Sequence, residues 1–167
     1  MKILKKTAII LTAMLTIGTI ANMPISQDGN CDTVITANAA NYGDYEYSIC
    51  NHSDTGYNTK DTCIITKYNG SAETVTIPST INGIKVGVIG DNAFKGNTKI
   101  KKVILPDTVI DLQSYAFANC TNLESINTPD SLRVIRSSAF ENCTSLTSFD
   151  FNKVELVGWY ILKNCQS

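Results

Sequence analysis

A single histidine, His52, is all the chain offers as a side-chain base near neutral pH. Any serine or cysteine nucleophile of the usual base-assisted kind would have to meet it. No GxSxG, HExxH, phosphate-binding loop or dinucleotide fingerprint is present. Charge is scarce as well: 17% of residues are charged and the formal net charge is −1. There is no basic field for nucleic acid or anionic lipid, and no acidic tail. The longest apolar run, Thr7 to Ala21, falls short of the roughly 20 residues that span a bilayer. These absences argue against an enzyme, a nucleic-acid binder and a membrane-spanning protein.

The apolar run follows three lysines within Met1 to Lys6, which is the layout of a secretory leader. Ala37-Asn38-Ala39 is the best small-x-small cleavage site, and it sets a signal peptide over residues 1–39. Hydrophobic residues make up 43% of the chain, enough for a packed core. The expected location is therefore outside the cell, secreted or at the surface.

What the chain has in plenty is repetition. Val86, Val109 and Leu132 recur at steps of 23, and Val154 follows after 22, one residue being missing near Asn152 and Lys153. Three residues after each stands Ile89, Leu112, Ile135 or Val157. The pairs Ala93-Phe94, Ala116-Phe117 and Ala139-Phe140 follow, with Ile161-Leu162 in the last unit. Ile100, Leu123 and Leu146 come next, then Val103, Ile126 and Phe149. A period of this length marks a solenoid, whose units bury their apolar faces only by stacking.

Within a unit, Leu123 to Pro129 reads as a short strand closed by proline. Asp91, Ser114 and Ser137 are placed to cap a short helical turn carrying the Ala-Phe pair inward. Gly96, Asn119, Asn142 and Asn164 mark the exit of that turn, because glycine and asparagine enter the left-handed region most cheaply. Cys120, Cys143 and Cys165 share one repeat position and are expected as buried thiols; a bridge between adjacent coils stays open. Zinc is the poorer reading of that column, since no CxxC or nearby histidine accompanies it.

The strings Ile77 to Asn97 (IPSTINGIKVGVIGDNAFKGN) and Leu105 to Ile126 resemble the BspA-type leucine-rich repeats. The resemblance covers about residues 68–167 and implies a right-handed solenoid with one parallel sheet. It implies export, and it suggests adhesion or ligand capture, with a host matrix protein or another cell surface as partner; a glycan partner is read from the surface residues alone. It brings no catalytic site, metal or cofactor with it. The expected fold class is an α/β solenoid: parallel sheet, short helical turns and an N-terminal hairpin.

That hairpin is read from residues 40–70, where Tyr42 to Ile49 and Thr62 to Tyr68 look like two strands, ahead of repeats over 71–167. It would cap the open core at that end. Cys50 and Cys63 flank its loop and are a candidate disulfide. Asp54 to Asn58 has the oxygen-rich composition of a calcium turn, though turn residues serve metal-free hairpins far more often.

If the apolar columns point inward, the residues between them form a candidate ligand-binding face: Lys101, Lys102, Glu124, Ser125, Asn127, Thr147 and Asp150. Glu73, Thr74, Thr76, Ile104 and Ser148 complete it. Trp159 and Tyr160 are expected to pack on the terminal core, the alternative being an aromatic pair that stacks on a sugar. The last coil lacks its strand after Cys165, which reads as one piece of a longer array or as an end capped by self-association. Three functions stay in play: a non-catalytic protein-binding or adhesion module, a structural spacer for a larger surface protein, and a carbohydrate-recognition module.

Overall fold

The computed structural model describes residues 40–50, 61–151 and 153–165. The leader, His52 and the Asp54–Asn58 loop lie outside the described residues. The chain enters through three antiparallel strands, β1 (Ala40–Tyr42), β2 (Tyr45–Cys50) and β3 (Thr62–Tyr68). The expected strand pair is β2 and β3, and β1 adds a third strand outside it. Coils then follow, built from β4 (Thr74–Thr76), β5 (Thr80–Ile81), β6 (Ile84–Ile89), β7 (Lys102–Ile104), β8 (Asp111–Leu112), β9 (Ser125–Ile126), β10 (Val134–Ile135) and β11 (Leu156–Val157).

Two parallel ladders run along the stack where one was expected. The first joins β3, β6, β8, β10 and β11, and the second joins β4, β7 and β9. The first ladder escapes a search for alternation because most of its strands are two residues long and bend at both ends. Val109 and Leu112, three apart, therefore both point inward and are fully buried. Between β5 and β6 the pair Asn82-Gly83 makes a two-residue hairpin turn, with φ of 51° and 79°. Asn-Gly adopts that left-handed pair more cheaply than any other common dipeptide.

The arc carrying the Ala-Phe pair is a turn. No helix occurs among the described residues, so the helical half of the expected α/β class is corrected. In the first arc Ala93, Lys95 and Asn97 N–H bond back three residues, to Gly90, Asn92 and Phe94. The interleaved Asn92, Phe94 and Gly96 N–H bond onward to Ser114, Ala116 and Ala118 of the next coil. A helix would keep every one of these bonds to itself; here half of them tie coil to coil. Gly96, Asn119, Asn142 and Asn164 do sit in the left-handed region, at φ of 74°, 60°, 61° and 59°. A second left-handed column, Asn92, Tyr115, Ser138 and Tyr160, was not foreseen. Asp91, Ser114 and Ser137 have no helix to cap; Ser137 Oγ instead accepts the Trp159 N–H of the next coil at 3.2 Å.

The core is a row of rings. Phe94, Phe117 and Phe140 are buried and stacked, with centroids 4.8 and 5.5 Å apart and planes within 19° and 7°. Tyr68 and Tyr45 extend the row into the N-terminal strands at 5.0 and 5.2 Å, and Phe149 and Phe151, of the same unit as Phe140, continue it at the other end. The ring spacing follows the roughly 4.8 Å between hydrogen-bonded strands.

Phe117 has a ring on each side and no exposed surface. Phe117→Ala is expected to destabilise the fold by about 3–5 kcal/mol, read as a lower urea midpoint in equilibrium unfolding. An unchanged midpoint would mean that the ring row does not hold the coils together.

Candidate functional site

The outward side of the second ladder carries the residues expected to bind. In register, Thr74, Lys102 and Ser125 form one outward row, while Val75, Val103 and Ile126 point into the core. Lys101, Lys102, Glu124, Ser125, Asn127, Thr147, Ser148 and Asp150 are all exposed. The structure thus brings together Lys102 on β7 and Ser125 on β9, with Lys101, Glu124 and Asn127 immediately flanking these strands. In the fourth coil, residues 147–150 continue the face without forming a strand.

These side chains are not equally available. Lys101 Nζ lies 3.0 Å from Glu73 Oε2. Its ammonium is held above the usual lysine range by that hydrogen bond, then by the charges of Glu73 and Glu124. Charge alternates from coil to coil here, so the column neutralises itself. Both partners are solvent-exposed, and water screens the pair. Asn127 closes a side-chain bridge to the preceding coil: its Oδ1 accepts Leu105 N–H at 2.6 Å and its Nδ2 donates to Leu105 O at 2.9 Å. That amide stands in for a ladder rung. The side chains of Lys102, Ser125 and Thr147 meet no polar partner among the described residues.

Asp150 borders a cleft of about 310 Å³ with Thr128, Asp130 and Lys153. The cleft opens at the corner where the fourth coil is one residue short. Its rim carries both signs of charge.

Trp159 and Tyr160 do not pack on the terminal core. They are 79% and 70% exposed, which overturns that expectation. Tyr160 takes the left-handed position of its turn, at φ of 59°. Lys163 Nζ lies 5.7 Å from the Tyr160 ring centre and 2.8 Å from Glu141.

Not every acid is a solvated one. Asp111 is 2% exposed on the first ladder, and Arg136 of the next coil holds it through Nη2 at 2.9 Å and Nε at 3.2 Å. A column otherwise filled by Val88 and Val134 gave no sign of this. A buried carboxylate needs such a partner to stay ionised.

The cysteine column is reduced and serves the stack. Cys120, Cys143 and Cys165 donate S–H to the carbonyls of Phe94, Phe117 and Phe140, each at 3.1 Å. Burial pushes the Cys120 and Cys143 thiols up to about 12, and raises Cys165 as well. Cys50 and Cys63 are likewise not joined by a disulfide. The β2–β3 register sets Cys50 opposite Thr62 and Cys63 opposite Ile49. One residue of offset sends the two side chains to opposite faces of the pair. Cys63 points into the core, where burial lifts its thiol to about 11.

With this geometry in hand, the comparisons are specific. A family model described as the BspA type leucine-rich repeat region matches residues 65–167, in six copies. The chain belongs to that family. A leucine-rich repeat protein of Treponema pallidum is 31% identical, with a TM-score of 0.63, over 73% of this chain and 54% of that one. A leucine-rich cell surface protein of Faecalibacterium prausnitzii is 28% identical, with a TM-score of 0.64, over 75% and 34%. A Bacteroides ovatus leucine-rich repeat protein is 26% identical, with a TM-score of 0.62, over 75% and 33%. This chain therefore spans about half the length of the first and a third of the other two. A comparison with curated proteins finds no match. Among the described residues no helix is long and apolar enough to cross a membrane.

The raised thiols carry a consequence for stability. An unfolded cysteine loses its proton near pH 9, whereas buried Cys120 and Cys143 keep theirs to about 12. Their contribution is complete below about pH 8.5 and is lost as pH climbs towards 12. The urea midpoint should fall between pH 8.5 and 10.5, and iodoacetamide should label these two thiols only at the unfolding rate. Rapid labelling of Cys120 in the folded chain would contradict their placement.

Proposed function

We propose that this chain is a non-catalytic protein-binding module, exported by the leader over residues 1–39 and displayed outside the cell for adhesion or ligand capture. The observation that carries the reading is the exposed polar face of β7 and β9, set on a backbone that β4 pairs on one side of β7 and β9 on the other. A rigid sheet face presents side chains with little ordering left to do on binding. Lys102, Ser125 and Thr147 supply a cation and hydroxyls with uncommitted ends, and Lys101, Glu124 and Asp150 set the field around them. Asn127 supports the face by bracing its edge. The Faecalibacterium relative is a leucine-rich cell surface protein, and this supports the same location. The raised, buried thiols support a non-catalytic reading, because the thiolate is the reactive form.

Carbohydrate recognition is the second reading, and the exposure of Trp159 and Tyr160 favours it. Flat aromatic faces offered to water are suited to the apolar side of a sugar ring.

Alanine replacement of Lys101, Lys102, Glu124 and Asp150 together should weaken binding to cells or matrix proteins by at least about tenfold, or about 1.4 kcal/mol. Unchanged binding would remove the sheet face from the argument and favour a spacer role. A glycan array probed with the chain and with Trp159→Ala separates the second reading, which requires a signal that the substitution abolishes.

A further inference from the structure

We propose that the outer side of the arcs is a glycan-binding track, on which Tyr115 and Tyr160 stack alternate sugars of a linear, uronate-bearing chain and Lys95 meets a carboxylate. The proposal rests on the carbohydrate reading and gives it a place, a direction and a ligand class.

The starting point is a backbone angle. Asn92, Tyr115, Ser138 and Tyr160 hold equivalent places, and the N–H groups of the first three donate to Ser114, Ser137 and Trp159 carbonyls of the next coil. All four are left-handed, with φ between 57° and 59°. Asparagine enters that region readily, whereas a bulky side chain is strained there. Tyr115 occupies it all the same, and its ring does no work in the core: it is 40% exposed and stands outside the buried cluster. Strain held at a position without packing benefit points to a use for the side chain. Tyr115 lies well inside the stack, so its exposure owes nothing to the last coil. The column runs along the side of the solenoid, where a further coil would extend it.

Down the column, large and small alternate. Tyr115 and Tyr160 stand in the coils on either side of Ser138, which is buried. The rings are thus two platforms about 9.6 Å apart, twice the strand spacing, with a low floor between them. An extended chain of β-linked pyranoses turns each ring over relative to the last, so every second sugar presents the same face. One disaccharide of such a chain advances by close to the two-coil step. An extended peptide repeats its face every two residues, about 6.8 Å, and falls out of step. A tyrosine suits the sugar, since its ring takes the C–H face and its hydroxyl the polar rim.

The charges beside the rings choose among glycans. Lys163 and Glu141 are committed to each other at 2.8 Å. Lys95 is exposed, its Nζ lies 5.1 Å from the Tyr115 ring centre, and it has no carboxylate within ion-pair distance among the described residues. It can turn to a ligand without breaking an ion pair. One unquenched cation on a two-coil step suits one carboxylate per disaccharide.

Calorimetric titration of the chain with a hyaluronan octasaccharide, which alternates glucuronate with N-acetylglucosamine, should show binding that weakens as salt is added. Tyr115→Asn gives the second coil the residue the first already has at Asn92. It should keep or raise the thermal midpoint and weaken the octasaccharide by at least about tenfold. Lys95→Gln should weaken the octasaccharide, remove its salt dependence and leave binding of a neutral N-acetylglucosamine hexamer unchanged. Titrations indifferent to Tyr115→Asn overturn the proposal. So does a lower thermal midpoint in that variant, which would make the ring structural, or a preference for the neutral hexamer. A glycan-array signal that Trp159→Ala abolishes and Tyr115→Asn leaves intact overturns the track while the carbohydrate reading stands. An array silent toward every glycan removes both.

Discussion

Every coil has to return to the same place about 4.8 Å further along the stack, and that constraint organises the rest of the molecule. At that spacing an aromatic ring can lie face to face on its equivalent above and below. Phe94, Phe117 and Phe140 do so, with Tyr68 and Phe149 at the two ends of the row. A coil longer or shorter by a residue on the inward path would move every later ring out of line. The one missing residue, near Asn152, falls at an outer corner after the inward row has passed, and there it coincides with a cleft rather than a break in the core. The same spacing explains the amide column: Asn142 Nδ2 reaches Asn119 Oδ1 at 2.7 Å, and Asn164 Nδ2 reaches Asn142 Oδ1 at 2.7 Å. Asparagine there provides the left-handed turn and a rung of its own.

How much of this can be read in advance depends on whether identity or geometry carries it. The phenylalanine row and the Gly/Asn column repeat the same residue types at the same interval, so period and role were both legible. The first ladder was not. Three of its five strands are two residues long and its inward positions are three apart, which imitates the spacing of a helical turn. The arc misled for a related reason. Its main-chain bonds alternate between its own coil and the next, and only the stack decides which way each N–H points. Single substitutions within a column were hardest of all. Asp111 occupies an apolar column because Arg136 arrives from the next coil, and no window around either residue discloses the other. Trp159 was misjudged because a large aromatic was assumed to seek the core, whereas its column is exposed at Asp91 and only half-buried at Ser114 and Ser137.

The thiols show how a repeat position can look reactive and be structural. Three cysteines in register suggest a metal site or a chain of disulfides. Each S–H instead reaches the carbonyl of the phenylalanine in the coil before, and burial holds the proton in place. A small side chain with one weak donor fits under the turn, where serine would bring a more strongly hydrated group and alanine would offer no donor. Asn97 shows what the first full coil does without it. Its amide donates to Gly70 O at 3.3 Å, and its oxygen accepts the Lys99 and Ile100 N–H.

A solenoid separates the residues that hold it together from those free to meet a partner more cleanly than a globular domain does. The inward columns and the turn amides are committed by stacking, so recognition has to come from outward rows whose residues the fold leaves unspecified. On the second ladder that freedom is only partial. Glu73, Lys101 and Glu124 alternate in sign along the stack and quench one another, and Asn127 is spent on Leu105. What faces a partner is therefore narrower than the exposed list implies. It is a lysine and two hydroxyls, beside a cleft that Asp150 borders, on a surface whose own charges are largely balanced. Such a face favours a partner met through directed hydrogen bonds over one drawn in by net charge, in keeping with a chain whose formal charge is only −1.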